Sequence, residues 1–171
     1  MVDLDPNANV SELTELRCRT GGLGTAMTTA LASAGADIIS IELPNDSGSE
    51  NTKKVVEECG RKYTRYECDI SNRQQIRETY RQMWSDGIVA DIVLNCAGVQ
   101  RRAAAVDFTD EDIDAVIDIN LKATLVSCQE FAKKLIADKR PGKVINISSI
   151  IGMSDSREPL GRKRPPFVDC S

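Results

Sequence analysis

The sequence predicts an α/β protein built on a parallel sheet with helices on both faces. Short runs rich in Ile and Val alternate with longer segments of helical period, which is the pattern of successive βαβ units. The predicted strands are 37–42, 64–69, 91–96 and 143–148. Two of these strands are nearly continuous apolar runs, as expected when helices cover both faces of a sheet.

Three helices are predicted, one before the first of these strands and two between later ones. Apolar side chains recur at three- and four-residue steps over 24–34, 73–84 and 111–137, and the last helix is predicted to be long and mostly buried. Two N-terminal caps are also predicted, Ser71 with Gln74 and Thr109 with Asp112, because such side chains satisfy the free backbone donors of a first turn.

The two ends of the chain differ from its middle. The stretch SELTELRC (11–18), where a first strand belongs, holds three charged residues and only two leucines, so residues 1–16 are expected to be poorly ordered or a degraded first strand. Residues 154–171 contain three prolines and a basic cluster with no period, which predicts an irregular tail. Residues 17–153 remain as the main domain.

The composition favours a small soluble ligand over a large charged partner. The chain has 171 residues, 41% of them hydrophobic, which suits one core. Its 22 Lys and Arg against 26 Asp and Glu give a net charge of −4, which argues against nucleic-acid or membrane-surface binding. No stretch approaches the ~18 apolar residues of a membrane helix, and the start lacks an apolar core segment, so a cytoplasmic protein is expected.

The absence of histidine from the sequence excludes several kinds of chemistry. The six cysteines show no C-x-x-C spacing, so no metal site is predicted. Ser-His-Asp hydrolysis and Cys-His proteolysis require an imidazole, so acid–base chemistry must use Tyr, Lys, Asp or Glu.

A glycine-rich stretch and an acidic residue indicate a dinucleotide site. In TGGLGTAM (20–27), glycines precede a helix, where backbone N–H groups and the helix dipole can hold a phosphate; the alternative is a simple turn. Glu42 lies 18 residues after Gly24 at the end of the next predicted strand, where a carboxylate can accept hydrogen bonds from an adenosine ribose. Such a carboxylate disfavours a 2′-phosphate, which predicts NAD over NADP.

These residues, with two further motifs, resemble the short-chain dehydrogenase/reductase family over roughly 17–153. Gly22 and Gly24 match the last two glycines of the family's Thr-Gly-x-x-x-Gly-x-Gly loop. ECDIS is similar to the end of the family's third strand, and LNCAGV to its Asn-Asn-Ala-Gly signature, with Cys96 replacing the second asparagine. The resemblance implies a Rossmann-like doubly wound sheet that binds NAD through Gly22, Leu23, Gly24, Glu42, Asp69, Ile70, Asn95, Ala97 and Gly98. The alternative for Asp69 is a turn residue that caps the next helix.

The resemblance also implies two catalytic positions. Ser149 lies where the family has the serine that hydrogen-bonds the substrate carbonyl or hydroxyl, and Asn120 matches the asparagine of its proton relay. The alternative for Asn120 is a tolerated polar residue within a helix. Ser148 is expected to face away from the pocket if Ser149 faces in, because side chains alternate along a strand.

The segment after the Ala-Gly suggests a substrate class. NCAGVQRRAAAVDFTDEDID is most similar to the sugar-acid dehydrogenases that act on 2-deoxygluconate or 2-keto-3-deoxygluconate, in which an arginine pair also follows. The resemblance therefore implies a sugar acid or polyol as the substrate. Arg101 and Arg102 are candidates for pairing with the carboxylate of such a sugar acid. The alternative is a solvated surface pair. By resemblance, members are homo-oligomers.

The chain departs from the family at both ends. The serine works in the family with a Tyr-x-x-x-Lys pair, but this chain has no tyrosine after Tyr80, and Lys163 has none four residues before it. Arg17 and Cys18 stand where the family's Thr-Gly begins the phosphate loop. The last strands and helices of the family domain are expected to be missing, which predicts an open sheet edge, exposed apolar faces and marginal stability.

Three interpretations follow from these departures. The first is an incomplete NAD-dependent dehydrogenase that cannot perform normal catalysis. The second is a non-catalytic dinucleotide-binding or protein-interaction module derived from a dehydrogenase. The third is a divergent enzyme that uses other groups, such as Lys163.

Overall fold

The computed structural model describes residues 22–149 and the backbone of residues 14–17. Five strands form one sheet: β1 (Thr14–Arg17), β2 (Ile38–Glu42), β3 (Tyr63–Glu67), β4 (Ile92–Asn95) and β5 (Lys143–Asn146). All neighbouring pairs are parallel, in the order β3-β2-β1-β4-β5. The chain therefore winds outward from β1 to β3, crosses back, and winds outward again through β4, which is the doubly wound topology.

Helical segments connect the strands and cover the sheet. They are α1 (Leu23–Ser33), α2 (Ser49–Glu58), α3 (Arg73–Ser85), a 3-10 turn (Ala105–Asp107), α4 (Asp110–Val116), a π-helical segment (Ile117–Ala123) and α5 (Thr124–Ala137). Neighbouring strand residues point to opposite faces of the sheet. Ile38 accordingly packs in one core with Ala32 of α1 and Val56 of α2, whereas Ile39 packs in the other with residues of α3 and α5.

The central strand β1 is only four residues long. Residues 1–16 were expected to be poorly ordered or a degraded first strand, and within this region Thr14–Arg17 pairs with both β2 and β4. Backbone hydrogen bonds to two neighbours do not depend on side-chain type, so poor strand composition is overridden here. The expected boundary at residue 17 therefore falls at the end of a strand of the main sheet. The expected phosphate-loop departure at Cys18 and the tail 154–171 lie outside the described residues.

The segment 111–137 is helical without a break, as predicted, but its middle turns are π-helical and it is not mostly buried. The π-helical turns between α4 and α5 widen the helix, and π turns of this kind are frequent at functional sites. Leu121 and Leu125 are 59% and 56% exposed, so the expectation of burial was wrong on that face. The helix α2 was not predicted, because it is short and only Val56 among its apolar residues is buried.

The two predicted helix caps had different outcomes. Thr109 accepts a hydrogen bond from the Asp112 amide, as expected. The cap of α3 is Asn72, which accepts from the amides of Gln74 and Gln75, and not Ser71. The reason is local, since the Ser71 amide and hydroxyl both donate to the Asp69 carboxylate.

Strand β5 lies at an edge of the described sheet and is exposed along its length. Val144, Ile145 and Ile147 are 40–45% exposed, which agrees with the open edge and exposed apolar surface expected from the sequence. Within residues 14–17 and 22–149, no helix is both long and apolar enough to span a membrane.

Candidate functional site

A cleft of about 300 Å³ opens at the carboxyl ends of β2, β3 and β4. In doubly wound sheets, ligands bind outside the carboxyl ends of the strands. The cleft brings together residues from three separate loops, and six predicted site residues line it: Glu42, Asp69, Ile70, Ala97, Gly98 and Arg101.

Glu42 is the most deeply buried of these residues, with its side chain 0% exposed. Its carboxylate accepts hydrogen bonds from the hydroxyls of Ser40, at 3.2 Å, Ser49 and Tyr63, at 3.4 Å, and pairs with the guanidinium of Arg65. A buried carboxylate requires such partners, because desolvation of an unpaired charge is costly. Glu42 thus lies at the strand end that the sequence predicted, but in a closed network that it did not predict.

The carboxylate of Glu42 also affects the pKa of Tyr63. Burial raises the pKa of the Tyr63 hydroxyl above its usual 10.0, and the negative charge of Glu42 raises it further, against the hydrogen bonds of two nearby serines. Tyr63 therefore stays protonated near neutral pH and acts as a donor to Glu42.

Asp69 forms a turn at the carboxyl end of β3. Its Oδ1 accepts from the Ser71 amide at 2.9 Å and from the Ser71 hydroxyl at 2.8 Å, while its own amide donates to Gln75. This geometry agrees with a turn residue before α3, and the residue lines the cleft at the same time.

Asn120 holds the loop that follows β4. Its amide nitrogen donates to the Val99 carbonyl at 3.0 Å, and its Oδ1 accepts from the Val99 N–H at 2.9 Å. A Cβ at Gly98 would lie 3.4 Å from Asn120 Oδ1, so the loop and the π-helical segment pass closely. Thr124 donates to the Asn120 carbonyl at 3.1 Å. The predicted relay role of Asn120 stays a prediction, but its side chain has a clear structural partner.

The glycines at the start of α1 are not among the residues that line the cleft. Gly22 is the N-cap of α1 with φ of +59°, a left-handed conformation that favours glycine. Gly24 is buried in the first turn, where its carbonyl accepts from Thr28, and Leu23 is exposed. The rest of the predicted phosphate loop, residues 18–21, is outside the described residues.

Asn95 is buried at the end of β4 and links two strands. Its Nδ2 donates to Asn146 Oδ1 on β5 at 2.8 Å. Its Oδ1 is buried with no hydrogen-bond partner among the described residues. The contact couples the Asn95-Cys96-Ala97-Gly98 segment to the neighbouring strand, and Asn95 itself does not line the cleft.

The two arginines that were predicted as substrate contacts are both exposed. Arg101 lines the cleft, but its Nε pairs with Asp112 in the first turn of α4 at 3.0 Å. This ion pair is compatible with the surface-pair alternative for Arg101, and its role as a substrate contact stays a prediction. Arg102 does not line the cleft.

Ser149 follows β5 and is half-buried, whereas Ser148 is exposed. The difference agrees with alternation of side chains at the strand end. Ser149 is not among the residues that line the cleft, and its predicted catalytic role stays a prediction.

Sequence inspection missed Ser49, Tyr63 and Arg65, the residues that hold Glu42. A signal was present in part, since Tyr63 and Arg65 alternate along one strand and must face the same side. Their contact with Glu42 depends on β2 and β3 being neighbours in register, with Ser40 opposite Arg65 and Glu42 opposite Glu67. Strand order of this kind is not visible in the sequence alone.

Comparison with known proteins agrees with this architecture. The model of the family described as short chain dehydrogenase matches residues 18–158. A 2-dehydro-3-deoxy-D-gluconate 5-dehydrogenase from Pseudoalteromonas atlantica is 32% identical over 130 residues, which is 76% of this chain and 51% of the relative. A 3-oxoacyl-(acyl-carrier-protein) reductase from Rickettsia conorii is 36% identical over 134 residues, covering 78% and 52%.

A solved structure is similar at the level of fold. It is described as a 2-deoxy-D-gluconate 3-dehydrogenase from Agrobacterium tumefaciens with bound NADP, and it is 30% identical with a TM-score of 0.73, covering 85% of this chain and 56% of that one. The chain spans about half the length of the curated relatives it matches. It belongs to the short-chain dehydrogenase family, and its described strands form the corresponding Rossmann-like sheet, a part of the relatives' full length.

Proposed function

We propose that this chain binds NAD(H) in the cleft and is the cofactor-binding part of a dehydrogenase for a sugar acid or polyol. The observation that carries the proposal is the convergence of Glu42, Asp69, Ile70, Ala97 and Gly98 on one cleft. These residues come from the end of β2 and from the segments that follow β3 and β4, and the family uses the corresponding positions for its cofactor. The names of two of the reported relatives support the substrate class, together with Arg101 at the cleft, whereas the Rickettsia relative is named for a different substrate.

The residues of the cleft suit a dinucleotide. Its volume of about 300 Å³ is at the lower end of the range for ligand pockets, which suits the adenosine portion. Apolar Ile70 and the turn at Asp69 would flank the adenine. The backbone at Ala97 and Gly98 would face the other half of the dinucleotide. A bound nicotinamide supplies or accepts a hydride at the substrate carbon. The Ser149 hydroxyl would hydrogen-bond the substrate oxygen.

The preference for NAD rests on Glu42. A carboxylate at this position repels a 2′-phosphate, whereas it can accept hydrogen bonds from ribose hydroxyls. The related Agrobacterium structure holds NADP, so the proposed preference for NAD rests on the local residues of this chain and not on that relative.

Catalysis by these 171 residues is proposed to be blocked at proton transfer. All three tyrosines of the sequence already serve other contacts: Tyr63 with Glu42, Tyr66 with Asp86 at 2.7 Å, and Tyr80 with Ser127 at 2.7 Å. Among residues 22–149, no tyrosine and lysine pair lies beside the serine to lower the barrier for removing the hydroxyl proton. The chain should therefore bind the cofactor without turning over.

Calorimetric titration of the purified chain with NAD tests the proposal. Binding by the wild type is expected, together with its loss in Ala97→Leu, because the larger side chain fills the cleft. Ala103→Leu is the matched control, since Ala103 is also half-buried and does not line the cleft. No binding by the wild type would overturn the proposal. NADH formation from a deoxygluconate at ordinary enzyme rates would contradict the proposed block.

The second candidate is a non-catalytic dinucleotide-binding or protein-interaction module. The hydrogen bonds that all three tyrosines make with other side chains favour it. Intact mass and transcript sequence separate the two functions. A longer product that contains Tyr-x-x-x-Lys would support the dehydrogenase. A product of 171 residues in a stable complex with another protein would support the module.

A further inference from the structure

The carboxylate of Glu42 is saturated with donors. Its Oε1 accepts from Ser49 Oγ and from Arg65 Nε, and its Oε2 accepts from Ser40 Oγ at 3.2 Å and Tyr63 OH at 3.4 Å. A carboxylate offers about four acceptor positions, so all are in use. A ribose hydroxyl can bind Glu42 only if one of the present donors gives way.

The two oxygens of Glu42 differ in how firmly they are held. Oε1 has a cationic partner, Arg65, and charge-assisted hydrogen bonds are the stronger kind. Oε2 has only neutral hydroxyl partners, at distances beyond the normal range for O–H···O bonds. Oε2 is therefore the oxygen whose partners can be displaced at lower cost.

Arg65 also offsets part of the negative charge beside Glu42. Its Nη2 pairs with Glu67 at 2.9 Å, so one guanidinium is shared between two carboxylates that lie opposite each other in register. The Arg65 side chain is 31% exposed, whereas that of Glu42 is 0% exposed. The positive charge thus offsets part of the negative potential that a 2′-phosphate would meet beside Glu42.

We propose that Ser49 and Arg65 fix Oε1 of Glu42 and leave Oε2 as the acceptor for ribose hydroxyls, and that Arg65 sets how strongly the site rejects a 2′-phosphate. This inference rests on the proposed function, since it concerns the same cleft. Ser49 and Arg65 are positioning residues that act through Glu42. Tyr63 competes with the ribose for Oε2.

The first test measures NAD affinity by calorimetry after removal of the competing hydroxyl. Tyr63→Phe is expected to raise NAD affinity by about two- to tenfold, the range of one net hydrogen bond. Tyr66→Phe is the matched control, because its hydroxyl bonds Asp86 and not Glu42. Equal NAD affinities for the two variants would overturn the assignment of Oε2.

The second test measures the ratio of NAD to NADP affinity. Arg65→Met is expected to increase this ratio by about tenfold, because the carboxylate then repels the 2′-phosphate without compensation. Arg65→Lys should keep the ratio close to that of the wild type. Arg61→Met is the control, since Arg61 pairs with Asp37 at 2.9 Å just before β2, near the opposite end of that strand.

The outcomes separate the inference from the proposed function. If the wild type and Arg65→Met both bind NAD with an unchanged ratio, the inference fails and the proposed function stands. If the wild type binds neither dinucleotide, both fail. If Arg65→Met does not fold, Tyr63→Phe against Tyr66→Phe decides, because neither of these changes removes a charge.

Discussion

Replacement of Asn120 by alanine should loosen the loop that closes one side of the cleft. The Asn120 side chain makes two hydrogen bonds with the Val99 backbone, at 2.9 and 3.0 Å. Each net bond contributes about 0.5–1.5 kcal/mol, so their loss should lower the free energy of unfolding by about 1–3 kcal/mol. With a urea slope of about 2 kcal/mol per molar, the unfolding midpoint should fall by roughly 0.5–1.5 M.

The same substitution should also weaken dinucleotide binding. Val99 lines the cleft beside Ala97 and Gly98, and without the Asn120 contacts this backbone must be ordered when the ligand binds. Urea unfolding and NAD titration should therefore both change in Asn120→Ala. A role for Asn120 confined to proton relay predicts a change in neither.

Two variants control this experiment. Asn51→Ala makes the same replacement on the exposed surface of α2, and both measurements should stay at wild-type values. Asn120→Asp can still accept from the Val99 N–H but cannot donate to the Val99 carbonyl, so it should be destabilised as well. Wild-type stability in Asn120→Ala would refute the proposed structural role.

Two further predictions concern stability. Gly142→Ala should lower the free energy of unfolding by about 1–3 kcal/mol, because an added Cβ would overlap a leucine of α5 and lie 3.0 Å from the Asp91 carbonyl oxygen. Urea unfolding measures this loss. Burial and the hydrogen bond to Asp86 raise the pKa of Tyr66 to about 12, from 10.0. The folded state therefore holds this proton more tightly, and the resulting stability is fully present below about pH 10 and is lost as the pH rises through about 12.

Each of these two predictions has its own control. The control for Gly142→Ala is Ser85→Ala, an alanine replacement at an exposed position of α3. Gly87→Ala would not serve, because Gly87 has φ of +77° and an alanine there would be strained. An unchanged unfolding midpoint for Gly142→Ala would contradict the crowding argument. For Tyr66, near-ultraviolet absorbance follows phenolate formation, and Tyr66→Phe should remove the transition near pH 12. A Tyr66 pKa close to 10.0 would contradict the effect of burial.

Local patterns in the sequence were sufficient for several parts of the protein. The alternation of apolar strands and amphipathic helices predicted β2 to β5, α1 and α3 to within a few residues, because burial on a sheet or helix face imposes a period. The Thr109 cap was predicted for the same local reason. The family was also predicted from short motifs, and the match over residues 18–158 confirms it.

Contacts between distant segments were decided by the tertiary structure. The sequence placed Glu42 at a strand end, but only the pairing of β2 with β3 brings Arg65 and Tyr63 to its carboxylate. Likewise, the sequence pattern of a continuous helix does not reveal the π-helical turns that contain Asn120, or the hydrogen bond of its side chain with Val99. Even β1, whose composition argues against a buried strand, is fixed by backbone pairing to neighbours on both sides.

The physical reason for this division is the range of the interactions. A hydrophobic period or a capping side chain acts within a few residues, so the sequence by itself determined most of the elements and the class of fold, with α2 as an exception. Two of the partners of the buried Glu42, Tyr63 and Arg65, come from a strand more than 20 residues further along the chain, and they reach its carboxylate only because β3 pairs with β2. The contacts that surround Glu42 in the candidate cofactor site were therefore decided by the tertiary structure.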